Sequence, residues 1–70
     1  MLCSKQVEYY KRNYPCGTRV ELIHMDDKYS PEEGTKGTVK FVDDIGQIHV
    51  NWDSGSSLAL VPEVDKWRVI

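Results

Sequence analysis

Cysteine, long apolar runs and surplus positive charge are all scarce in this protein, and each scarcity removes a class of protein. The two cysteines, Cys3 and Cys16, stand thirteen positions apart. Neither belongs to a Cys-x-x-Cys pair or lies at ligand spacing from a histidine, so the sequence offers no zinc site. One disulfide between them is formally open. Residues 1–10 lack the apolar core of a signal peptide, however, and the expectation is two reduced thiols in a cytoplasmic protein. No stretch nears the ~20 apolar residues that cross a bilayer, so no membrane association is expected. Nine Lys and Arg face eleven Asp and Glu, a net charge of −2, which gives no general attraction to nucleic acid. Internal repeats and low-complexity segments are missing too.

What is there is the composition of a folded domain: 40% hydrophobic and 10% aromatic residues. A polypeptide this short buries only about 60% of the surface its unfolded form exposes. One domain is therefore expected, with a core that supplies roughly 3–5 kcal/mol.

Ser4 is a candidate N-cap, and residues 5–12 contain neither glycine nor proline, which predicts a short helix. Cys3, Val7, Tyr10 and Tyr14 fall on one side of it, so the helix is amphipathic and has a surface to lie on. Pro15 ends it. From Thr18 the period changes to alternation, with Val20 and Leu22 on one face, which predicts a first strand running on through Ile23, His24 and Met25. Residues 26–34 are polar and rich in turn formers, and read as one long loop. Three more strands follow, carrying Val39 and Phe41, then Ile48, Val50 and Trp52, then Leu58 and Leu60. Gly46 and Gly55 sit in hairpin-length connections where a positive φ is needed. Residues 62–65 form a tight turn before a last strand over 66–70.

Five strands this close together leave no room for crossover helices, so the pairing is antiparallel. The fold expected is mostly β: a small five-stranded antiparallel Src-homology-3-like barrel (14–70) preceded by a short N-terminal α-helix (1–13) packed on or flanking it. The alternative is an open five-stranded roll with the helix over one mouth. Val20, Leu22, Val39, Phe41, Ile48, Val50, Trp52, Leu58 and Leu60 are expected to turn inward together.

Three stretches carry a family resemblance: residues 14–22, residues 34–39 (Gly34-Thr35-Lys36-Gly37-Thr38-Val39), and residues 45–55 with their Val50-Asn51-Trp52-Asp53-Ser54-Gly55 end. Together with residues 58–62 and Asp65, they resemble domain of unknown function 4314, a family of small bacterial and phage domains. That resemblance implies a bacterial or mobile-element origin and no established activity. A more distant similarity, through Gly37, Val39, Val50, Trp52, Asp53 and Gly55, is to mind-bomb-type Src-homology-3-like domains. It supports the barrel more than any peptide-binding role.

No catalytic constellation emerges. Gly34-Thr35-Lys36-Gly37 lacks P-loop spacing and leads into a strand. The neighbouring carboxylates Asp26 and Asp27, Glu32 and Glu33, and Asp43 and Asp44 suit turns and solvation better than acid–base work. His24 and His49 have no partner legible in the sequence, although their rings approach if the first and third strands are neighbours. No cofactor, metal site or enzymatic activity is expected. The function expected is a non-catalytic interaction or regulatory module that binds a protein or peptide through the long acidic loop and adjacent aromatics. Its site residues are Asp26, Asp27, Tyr29, Glu32, Glu33 and Trp67, and extended or proline-rich segments with basic residues are the ligands. The alternative is a small nucleic-acid-binding barrel of a mobile element, which needs Lys5, Lys11, Arg12, Arg19, Lys36, Lys40 and Arg68 gathered on one surface. Self-association through the helix is also open, since so small a core gains from a neighbour.

Overall fold

A computed structural model describes residues 3–70 and contains one helix and four strands: α1 (Ser4–Asn13), β1 (Arg19–His24), β2 (Lys36–Val42), β3 (Ile48–Trp52) and β4 (Lys66–Val69). The expected segment 1–13 starts in residues 1 and 2, which lie outside the described residues. The N-cap of α1 is Cys3, one residue earlier than the expected Ser4. Its backbone N–H donates to Gln6 Oε1 at 2.9 Å, half of a capping box. Lys11 and Arg12 occupy the last turn, where cations suit the helix dipole. Lys11 Nζ also reaches Asp44 Oδ1 at 2.7 Å and pins the helix to the β2–β3 connection.

The strands form one open antiparallel sheet in the order β3-β2-β1-β4. Its inner face carries Val20, Leu22, Val39, Val42, Ile48, Val50 and Trp52, closed over by Leu60 and Met25. Tyr10, Tyr14, Leu58 and Trp67 pack against this core from its rim. Gly37 is fixed by packing: a Cβ there would lie 2.5 Å from Val50 Cγ1 and 2.8 Å from Trp52 Cε3. Gly46 takes φ 88° in the turn between β2 and β3, as its place in the sequence predicts.

Two expectations need correction. Phe41 is not core but 51% exposed. In the β2–β3 ladder Val39 pairs with Val50, then Phe41 with His49 and Val42 with Ile48, so β2 holds one extra residue at Lys40. That bulge inverts the in–out alternation beyond it, and Val42 takes the inward place expected of Phe41. The fifth strand, through Leu58 and Leu60, contracts to a single bridge between Ile48 and Leu60. Both backbone bonds of that pair form, at 2.8 and 2.9 Å. The next groups along are unavailable: the Leu58 carbonyl accepts from Trp52 Nε1 at 2.8 Å, and Pro62 has no N–H to donate. A ladder cannot extend through groups already engaged or missing.

Candidate functional site

The amphipathic side of α1 brings Tyr10 and Tyr14, four residues apart, over the start of β4. Trp67, on the inner face beside Leu22, meets them. Its ring centre lies 6.3 Å from that of Tyr10 and 5.9 Å from that of Tyr14, and its Nε1–H donates to Tyr14 Oη at 3.2 Å. Tyr9 stands edge-on to Tyr10 at 5.2 Å. With Ile23, Pro62, Asp65 and Lys66, these rings line an open groove of about 410 Å³. Tyr9 is 58% exposed, while Tyr10, Tyr14 and Trp67 are half-buried. Inclined rings with apolar faces and polar rims leave slots between them that suit flat or branched apolar groups.

The chemistry of the groove is that of a donor. Burial raises the Tyr10 phenol above its ordinary pKa, with Tyr14 and Tyr9 adding to the effect. Because Tyr14 Oη accepts from Trp67, its own proton is available outward. Lys66 brings a cation. Asp65 is the acceptor in the lining, but it is 7% exposed and already holds Asp26 N–H at 3.1 Å and Val61 N–H at 2.8 Å. Its carboxylate thereby ties the root of the long loop to the turn that precedes β4.

Of the residues expected to form the site, Trp67 lines the groove and Asp26 touches its floor through a backbone bond to Asp65. Asp27, Tyr29, Glu32 and Glu33 do not line it. Asp27 Oδ1 accepts from Tyr29 N–H at 2.8 Å, an Asx turn local to the loop. Tyr29 is 73% exposed with Lys28 Nζ 5.0 Å from its ring centre, so it does not pack its loop against the sheet. Glu33 Oε2 lies 3.2 Å from His24 Nδ1, and the Glu32 backbone carbonyl accepts from Thr35 N–H. Tyr10, Tyr14, Pro62 and Asp65 were missing from the expected site. The helical spacing of Tyr10 and Tyr14 was the available signal, since it marks a face that must meet something.

The two histidines do not approach, because β2 separates β1 from β3. His49 Nε2 lies 2.8 Å from Asp43 Oδ2, and its ring stacks on Phe41 at 4.3 Å. Asp43 Oδ1 also accepts from Ile45 and Gln47 N–H. Burial would raise the pKa of this carboxyl, but His49 and the two backbone donors outweigh it and hold the group below its ordinary value. The dyad therefore serves the β2–β3 turn. Among the described residues no group of three His, Cys, Asp or Glu is placed to hold a metal ion, and no helix is long and apolar enough to cross a membrane. Cys3 and Cys16 are free and exposed.

The cations needed for a nucleic-acid surface are in part engaged with acids. Arg19 binds Asp53 through both guanidinium ends, at 2.8 and 3.0 Å, which holds the Asp53 carboxyl below its ordinary pKa. Arg68 Nε donates to Glu21 Oε1 at 2.8 Å, and Lys11 is paired with Asp44.

A family model described as domain of unknown function (DUF4314) matches residues 3–70. The protein belongs to that family. The match takes in α1 as well as the sheet, so the helix that builds one wall of the groove is part of the DUF4314 domain and no local addition. No curated protein matches the sequence significantly.

Proposed function

We propose that this DUF4314 domain is a non-catalytic interaction module whose aromatic groove binds an extended segment of a partner protein. One observation carries the reading: three tyrosines and a tryptophan surround an open concavity in a domain too small to leave large rings half-buried without loss of stability. Phenol donors and a lysine suit a ligand that presents backbone carbonyls and apolar side groups. The acidic loop at 26–33 takes a secondary place, because Asp27 serves a local turn and Glu33 lies against His24. Free exposed thiols at Cys3 and Cys16 favour a reducing, cytoplasmic setting. We also propose a Src-homology-3-like small-barrel architecture, supported by the Ile48–Leu60 bridge and the 61–65 turn that lead the backbone from the β3 edge to β4.

The test is selection of extended dodecapeptides from a displayed library, followed by NMR titration of the selected peptides into the whole protein. The Trp67 indole and the rings of Tyr9, Tyr10 and Tyr14 are expected to shift. Tyr9→Ala, which removes an exposed ring, should weaken binding about tenfold, the scale of an interface aromatic worth ~1.4 kcal/mol. Shifts confined to Asp27, Tyr29 and Glu32 would return the site to the loop. Steeply salt-dependent binding of single-stranded DNA would favour the nucleic-acid reading instead.

A further inference from the structure

The fold treats the two edges of its sheet differently. On the β3 side, Ile48 exchanges both backbone bonds with Leu60, and Trp52 N–H donates to the Ser56 carbonyl. Residues 56–60 thus cover that edge. On the β4 side, Ile70 N–H donates to the Arg19 carbonyl at 3.1 Å, which sets the phase of the ladder with β1. Arg68 and Ile70 turn their backbone groups toward β1, and the intervening Trp67 and Val69 turn theirs away from the sheet. Those outward N–H and carbonyl groups have no partner among the described residues. Val69 and Ile70 are about half exposed, at 55% and 52%, so the described residues leave this end of the strand open to solvent.

Charge decides what such an edge accepts. A second copy is opposed in both antiparallel registers that pair Trp67. If Trp67 pairs with Val69 of the copy, Arg68 faces Arg68; if Trp67 pairs with Trp67, Lys66 faces Arg68. Like charges directly across a ladder are destabilising. A strand with carboxylates at those positions meets Lys66, which has no acidic partner among the described residues, and Arg68 beside Glu21.

We propose that β4 receives a partner segment as an added strand in which acidic and apolar residues alternate. Its backbone pairs with Trp67 and Val69, its apolar side chains lie beside those two residues at the mouth of the aromatic groove, and its acidic side chains face Lys66 and Arg68. This rests on the groove reading and specifies the partner for it.

The probe is a blocked nonapeptide of alternating glutamate and valine, titrated into the whole ¹⁵N-labelled protein. Two versions are N-methylated on one or the other alternate set of amides, and a lysine–valine peptide serves as the charge control. Binding should slow hydrogen exchange of the Trp67 and Val69 amides at least tenfold. One N-methylated version should lose binding and the other keep it, because only one edge of an added strand faces β4. The lysine–valine peptide should bind roughly tenfold more weakly at low salt, and Lys66→Glu should narrow that preference. Val69→Pro removes an outward N–H that β1 does not use, so the fold should stand while affinity falls. Shifts of the groove rings with unchanged exchange at Trp67 and Val69, or tolerance of both N-methylated versions, would overturn strand addition and leave the groove reading intact. Failure of every peptide to move any groove ring at millimolar concentration would overturn both.

Discussion

Replacing Asp65 by alanine probes the joint between loop, turn and groove. The carboxylate is 7% exposed and accepts from Asp26 N–H at 3.1 Å and Val61 N–H at 2.8 Å. Alanine leaves both donors without a partner. At ~1–3 kcal/mol for each unsatisfied donor, the loss is about 2–6 kcal/mol. A single core of this size supplies only roughly 3–5 kcal/mol, so the variant should sit at the margin of folding. In a protein of this length each kcal/mol moves Tm by ~4–8 °C, so a fall of at least about 10 °C is expected. Asp65→Asn keeps one oxygen for one of the two donors and should lose about half as much. Thermal melts followed by circular dichroism, with urea midpoints as a second measure, read both variants. An Asp65→Ala protein that melts within about 3 °C of the parent would refute the reasoning, since the two bonds would then carry no net stability.

The packing at Gly37 predicts that Gly37→Ala overfills the space between Val50 and Trp52 and costs about 1–3 kcal/mol, measured as a lower urea midpoint with unchanged slope. The bulge at Lys40 predicts contrasting alanine variants. Phe41→Ala should cost less than about 1 kcal/mol, because only the stack on His49 is lost, whereas Trp52→Ala should cost about 3–5 kcal/mol in the same urea titrations. Asp43 supplies a pH test. Its folded pKa lies below the unfolded one, so its contribution is present above about pH 4 and is lost as pH falls through the lower folded value. The stability gap between the parent and Asp43→Asn, followed by denaturation from pH 7 to pH 2, should therefore close on the acid side.

Local rules settled much of this protein before any pairing was known. Two-residue alternation located β1, β2, β3 and β4, the glycine at position 46 marked a turn, and the helical spacing of Val7, Tyr10 and Tyr14 identified a face that had to be covered. These features depend on residues a few positions apart, so the sequence carries them directly. The tertiary structure alone decided the rest. An extra residue at Lys40 exchanged Phe41 for Val42 in the core, because register belongs to a pair of strands and no single strand encodes it. The side chain of Trp52 took the Leu58 carbonyl that a fifth strand needed. Trp67 joined tyrosines more than fifty residues earlier in the sequence, and only folding turns that separation into a groove.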